Sequence, residues 1–244
     1  MPMDLPQAVN VHAQPTVAAV FEGGSETSDH SCTASVVSST SGDLLITAAH
    51  CVSGQGTDIT VAPGYDAGST PYGVWSVTAV FVDRAWEVEQ SASDDVAILR
   101  VAPTVANGLT RTLQDVTSAD PLGTTPGRST PVTVQGFNAG TDDQAISCMA
   151  GLNTTAGNPT FQCGNYRDGS SGSPWFATGS DGVTRVIGVI GGLDQGGCTN
   201  QTSYSPVFGA AVHNLLSRAE QAGDDGDTLP SPVPPAACGD IAMN

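Results

Sequence analysis

Short runs of β-branched and aromatic residues, each closed by glycine, proline, asparagine or aspartate, recur along nearly the whole of this 244-residue chain. β-Branched and aromatic side chains fit a pleated, half-buried surface, whereas Gly, Pro, Asn and Asp supply the turn conformations that end a strand after a few residues. Residues 17–21, 34–37, 44–47, 59–61, 74–82 and 96–101 read as one set of strands, and 131–136, 145–149, 160–163, 183–190 and 204–208 as a second. Many short strands separated in this way argue for an all-β sandwich or barrel. The stretch 102–131 is poor in strand pattern and rich in turn residues, so it reads as the crossing between two halves. One segment breaks the pattern: from 207 to 221, Val212, Leu215, Leu216 and Ala219 recur at helical spacing and predict an amphipathic helix. Beyond it, Asp224, Asp225 and Asp227 lead into a proline-rich end, read as a solvated tail because the spacing of a calcium-binding EF-hand is missing.

Charge narrows the choice of partners. All seven basic residues are arginine, and 24 carboxylates leave a formal charge of −17. Nucleic acid and anionic membranes both reward a positive surface, so neither is expected as a partner. The longest apolar runs, such as 186–190, are far too short to span a bilayer. Six cysteines point to an oxidising compartment, although the N-terminal residues lack the basic start and apolar middle of a signal peptide. The expectation is a secreted product whose leader has been removed. Asn153 and Asn200 stand in glycosylation sequons that matter only in a eukaryotic source.

Three blocks carry chemistry: Thr47-Ala48-Ala49-His50-Cys51, Asp95-Val96-Ala97-Ile98-Leu99 and Gly169-Ser170-Ser171-Gly172-Ser173-Pro174. A serine hydroxyl is a poor nucleophile at neutral pH and needs an imidazole to take its proton. The imidazole needs a buried carboxylate to fix its tautomer. Each block alone is weak, since most histidines are structural and Ser-Gly pairs are common in turns. Their conjunction in the order His, Asp, Ser resembles the chymotrypsin/trypsin-like serine endopeptidases, with an ending like the bacterial secreted branch that includes the glutamyl endopeptidases. His12, His30 and His213 stand outside these blocks and read as structural.

The resemblance covers about residues 17–221 and implies two six-stranded antiparallel β-barrels side by side with a C-terminal α-helix. Residues 17–110 would form the first barrel and 111–222 the second barrel and helix, flanked by an N-terminal extension, 1–16, and a tail, 223–244. His50 would be general base then acid, Asp95 its orienter and Ser171 the nucleophile. Asp94, next to Asp95, would be a solvated neighbour. The N–H groups of Gly169 and Ser171 would form the oxyanion hole. The resemblance also implies a Cys32–Cys51 disulfide. Four cysteines then remain with three possible pairings: Cys148 with Cys163 across a hairpin leaves Cys198 with Cys238, and Cys163 with Cys198 is the rival.

Two positions depart from the family. Ser170 stands where mammalian trypsins have the aspartate that anchors a newly cut N-terminus. For the substrate pocket, an ungapped count places Asn165 where trypsins carry their specificity aspartate, and Ile190-Gly191-Gly192 on the opposite wall. Ile190 replaces the histidine that glutamyl endopeptidases use for an acidic side chain. The expected function is a secreted, monomeric serine endopeptidase acting on protein or peptide substrates with no metal or organic cofactor. The alternatives are a catalytically silent, protease-like binding protein, or an esterase or selective processing peptidase on the same fold.

Overall fold

The computed structural model describes residues 5–23, 30–106, 108–140 and 144–231. β1 (Val9–Val11) belongs to the second half of the molecule. The next six long strands, β2 (Val17–Phe21), β3 (Cys32–Val36), β4 (Leu44–Thr47), β5 (Thr60–Pro63), β6 (Trp75–Val82) and β7 (Ala97–Val101), pair antiparallel into a closed barrel of order β2-β3-β4-β7-β6-β5. Alternate side chains of a strand face opposite sides, and here both sides are buried. Ala18, Val20, Leu45 and Leu99 fill the barrel, while Val17, Ala19, Phe21, Leu44, Ile46 and Ile98 face outward. The outward set packs against Phe137, Phe176, Val186 and Phe208 of the second half, which is why these strands read as unbroken apolar runs.

α1 (Arg84–Glu89) lies between β6 and β7. The crossing from 102 to 131 contains more order than its composition implies: a small hairpin, β8 (Thr104–Ala106) with β9 (Leu109–Arg111), and α2 (Leu113–Thr117). α2 starts at a capping box in which the Thr112 side chain accepts from the Asp115 N–H and the Asp115 carboxylate accepts from the Thr112 N–H.

The second half holds β10 (Pro131–Gly136), β11 (Ala145–Gly151), β12 (Asn153–Thr155), β13 (Asn158–Gln162), β14 (Pro174–Thr178), β15 (Thr184–Val189) and β16 (Thr202–Tyr204). They form a five-stranded sheet, β1-β11-β10-β14-β15, and a three-stranded one, β12-β13-β16. Only Leu152 separates β11 from β12, and the Gly191 N–H beyond β15 donates to the Tyr204 carbonyl of β16 at 3.0 Å. These two joints bend the sheets into a ring around Val134, Phe161, Tyr166 and Trp175.

Residues 204–208, expected as one strand, leave the sheet after Tyr204, because Pro206 has no N–H to donate to a ladder. α3 (Ala210–Ala222) begins later than its apolar spacing implies, since the Phe208 N–H is taken by Thr125 Oγ1. The residues after α3 do not run free into solvent. Leu229 is buried in the first barrel's core and exchanges two backbone hydrogen bonds with Gly54, and Asp227 pairs with Arg218 at 2.8 Å. Among the described residues, no helix is long and apolar enough to cross a membrane.

Candidate active site

β4 pairs with β7 in a register that sets Thr47 opposite Ala97, so the residues following β4 and preceding β7 emerge at the same end of the barrel. His50 lies in the single turn after β4, and the Cys32–Cys51 disulfide ties that turn to β3. Asp95 lies just before β7, separated from it by Val96. The two meet closely: His50 Nδ1 is 2.8 Å from Asp95 Oδ2, and the His50 backbone N–H donates to Oδ1 at 2.9 Å. The Gly192 N–H, from the second half, donates to Oδ2 at 2.7 Å. Asp95 has no solvent exposure and the His50 side chain only 9%. A carboxylate so placed replaces its lost hydration with three donors, one of them the imidazole. The neighbouring Asp94 accepts hydrogen bonds from Ser91 and Ser93 instead.

The loop 167–173 brings the third block to the same place. The Ser171 carbonyl accepts from the Thr33 N–H at 2.8 Å, and the Gly172 N–H donates to the Ile190 carbonyl at 2.7 Å. Gly172 has φ +79°, and a Cβ there would lie 2.0 Å from the Thr33 carbonyl oxygen, 2.2 Å from Thr47 Oγ1 and 3.2 Å from the Ala48 N. Only glycine permits both the left-handed backbone and this approach. The loop thus seats Gly172, the residue after Ser171, against Thr47 and Ala48 in the segment that leads to His50. Gly169, at φ +89°, is packed as tightly against Asn138 and Ala139, whose N–H donates to the Asp168 carbonyl at 2.6 Å. Thr33 Oγ1 donates to the Gly169 carbonyl and accepts from the Phe137 N–H, which fixes the loop from below.

Beside Ser171 is a hollow of about 270 Å³ lined by Tyr166, Ile190, Gly196 and Ser203, with Arg167, Asp168 and Asp194 in its lining as exposed residues. Asn165 is placed differently. It is exposed, its Nδ2 donates to the Ala8 carbonyl, and its own carbonyl accepts from Asn138; Tyr166, the next residue, contributes to the lining. A larger hollow of about 760 Å³, between α1 and α3, contains no residue of the three blocks. The cluster Cys32, His50 and Cys51 has the proximity of metal ligands, but its two sulfurs are bonded to each other. Cys148 and Cys163 form a second disulfide, Cys198 is also bonded, and Cys238 lies outside the described residues. Of the other histidines, His12 pairs with Asp66, His30 is buried among Phe21, Tyr65 and Phe137, and His213 is exposed on α3.

Over residues 7–217 the sequence matches the family described as Trypsin. The chain belongs to the trypsin family. Similar solved structures include the protease Anisep from Arthrobacter nicotinovorans, at 22% identity over 86% of this chain and 98% of that one, TM-score 0.69. A Glu endopeptidase superposes at 15% identity over 90% of this chain and 99% of that one, TM-score 0.68. A mutant of human heparin binding protein superposes at 14% identity over 87% and 95%, TM-score 0.63. A search of curated proteins gave no significant match. The protein is a trypsin-like serine endopeptidase.

Within this endopeptidase, long-range contacts hold the site in ways that short motifs do not announce. The Gly192 N–H reaches Asp95 from 97 positions away, and Thr33 bridges to Gly169 across 136. The N-terminal segment is another such contact. The Gly164 N–H donates to the Pro6 carbonyl at 2.8 Å, the Ala8 N–H to the Gly164 carbonyl at 3.0 Å, and β1 continues along β11 from Ser147 to Ala145. Residues 6–11 therefore strap the start of the segment that leads through Tyr166 to Ser171.

Proposed function

We propose that this protein is a secreted serine endopeptidase in which Ser171 Oγ attacks the peptide carbonyl carbon while His50 Nε2 takes its proton. The same imidazolium then protonates the leaving amine, and water hydrolyses the resulting acyl-enzyme with His50 again as base. Asp95 holds Nδ1–H toward itself and stabilises the imidazolium. The N–H groups of Gly169 and Ser171 receive the oxyanion. The observation that carries the reading is the fully buried Asp95 carboxylate bound to both nitrogens that His50 turns toward it. Secretion is supported by the disulfides, and the two halves, 17–110 and 111–222, are read as the units that meet at the site.

A binding protein on the same fold is the second reading, prompted by the heparin-binding neighbour. A net charge of −17 speaks against a polyanion as ligand here. Incubation with a serine-directed fluorophosphonate decides between them. Covalent labelling of Ser171, absent in Ser171→Ala, is the expected result; an unlabelled, folded protein would exclude the enzyme reading.

Activation should follow from Ser170. Its hydroxyl is buried and donates to the Arg167 carbonyl at 2.6 Å, so the oxyanion loop closes on itself without an anchored ammonium group. Acetylating the N-terminus, or adding a short peptide before Met1, is expected to leave turnover unchanged. Ala8→Pro, which deletes the N–H that binds Gly164, should cost of order 1 kcal/mol and lower turnover, whereas Ala8→Ser retains it. Parallel kinetics on the four proteins check both statements, and activity confined to one trimmed, unblocked terminus would refute the first.

A further inference from the structure

Each N–H of the proposed oxyanion hole shares a planar trans peptide unit with the carbonyl of the residue before it, so whatever holds that carbonyl on one side aims the N–H to the other. The Ser171 N–H is aimed locally: the Ser170 carbonyl accepts from the Ser173 N–H at 3.0 Å, within the same loop. The Gly169 N–H is aimed from another part of the chain. The Asp168 carbonyl of its peptide unit accepts from the Ala139 N–H at 2.6 Å, and Ala139 belongs to the segment that follows β10. Next to it, Asn138 gives its side-chain amide to the same loop: Nδ2 donates to the Asn165 carbonyl and Oδ1 accepts from the Arg167 N–H, both at 2.9 Å. Both sides of this clamp are themselves anchored. The Phe137 N–H donates to Thr33 Oγ1, and Gly140 pairs with His30 in an isolated bridge. Opposite, Asn165 Nδ2 donates to the Ala8 carbonyl at 3.3 Å.

Resting on the reading of Ser171 as nucleophile, we propose that Asn138 is a positioning residue for catalysis: its amide holds residues 165–167 in register with 138–139, so that the Ala139 N–H meets the Asp168 carbonyl and the Gly169 N–H points at the oxyanion. An asparagine side chain ends in a planar group with a donor on one side and an acceptor on the other. Here each meets a backbone group of the opposite kind, the two groups belonging to residues 165 and 167, which fixes how the segments lie along each other. Gly169 makes the contact as close as it can be, since a Cβ there would lie 2.1 Å from the Ala139 N. Asp168 and Ala139 are exposed, so water competes for the hydrogen bond between them. Without the clamp, the Asp168–Gly169 peptide is freer to turn about its flanking bonds. Turning sets the Asp168 carbonyl, an acceptor, where the oxyanion needs a donor.

The test compares kcat, KM and thermal midpoint of the natural protein, Asn138→Ala and Asn138→Asp on one peptide substrate, together with inhibition by the trifluoromethyl ketone of the same peptide. In that adduct Ser171 Oγ bonds to the ketone carbon, its proton passes to His50, and the carbonyl electron pair becomes an oxyanion in the proposed hole. Loss of one oxyanion donor lowers turnover by about 10²–10³-fold. A donor that is present but free to turn forfeits part of this, so Asn138→Ala should lower kcat by on the order of 10–100-fold and raise the inhibition constant of the ketone by a similar factor, with KM nearly unchanged. Asn138→Asp keeps the acceptor for the Arg167 N–H but sets a carboxylate against the Asn165 carbonyl, and should change the same two quantities in the same direction. If Asn138→Ala fails to fold, Asn138→Asp decides. Folded variants with natural kcat and natural inhibition, or with KM raised and kcat kept, overturn the role of Asn138 and leave the nucleophile reading intact. A natural protein that neither cleaves peptides nor is labelled at Ser171 by a fluorophosphonate overturns both.

Discussion

Asp95→Asn is expected to lower turnover by about 10⁴-fold while leaving the fold intact. The reason lies in the donors around the carboxylate. Oδ1 accepts from the His50 backbone N–H, and Oδ2 accepts from the Gly192 N–H and faces His50 Nδ1. An amide carries one acceptor and one donor, so an NH₂ group must replace one of these oxygens. Placed at Oδ2, it confronts the Gly192 N–H and turns His50 to the tautomer with its proton on Nε2, which cannot accept the Ser171 proton. Placed at Oδ1, it confronts the backbone N–H that positions the ring. Either orientation also removes the negative charge that stabilises the imidazolium. Stability should fall by only about 1–3 kcal/mol, the cost of one mismatched buried hydrogen bond. The check is kcat on an uncharged peptide substrate together with the thermal midpoint; near-natural turnover in folded Asp95→Asn would remove Asp95 from the mechanism.

Much of the architecture was legible because the first barrel's strands are bounded by turns and buried on both faces, as in 44–47 and 97–101. What escaped has particular causes. β14 begins at Pro174 directly after the Gly-Ser run of the third block, so its Trp175-Phe176-Ala177 core segment is not among the strands that the sequence pattern marks. β1 is three residues long with two of them exposed, and its place is set by β11, far along the chain. In α2, a five-residue helix is too short to show periodicity, and its capping box, Thr112 with Asp115, was the signal that could have found it. The proposed triad was legible for a different reason: each member sits in a short motif at the end of a strand. Of the hollow beside Ser171, Ile190 was legible as a pocket residue, whereas Ser203 and Tyr166 acquire a common neighbour only when β13, β16 and the segment before Ser171 converge.

Gly172→Ala should damage both stability and catalysis although it adds a single methyl group. Two separable penalties act there. The first is conformational: at φ +79° an alanine is strained, at a cost of about 1–2 kcal/mol. The second is steric, because the new Cβ would stand 2.0 Å from the Thr33 carbonyl oxygen and 2.2 Å from Thr47 Oγ1. Neither atom is free to retreat. Thr47 Oγ1 donates to that same carbonyl at 2.7 Å, both residues are fully buried, and Thr33 also carries the hydrogen bonds to Phe137 and Gly169. The loop must move instead, carrying Ser171 away from the turn that holds His50. A displacement of about 1 Å at the nucleophile is enough for a 10²-fold loss of turnover. Strain and overpacking together give about 2–5 kcal/mol, or roughly 5–15 °C in Tm. Gly157→Ala is the matched control, since Gly157 has φ +85° but no atom within 4 Å of its prospective Cβ. It should show the conformational penalty alone, with turnover unchanged. Equal losses in the two variants would mean that backbone strain, and not the close approach of Gly172 to Thr33 and Thr47, governs this position.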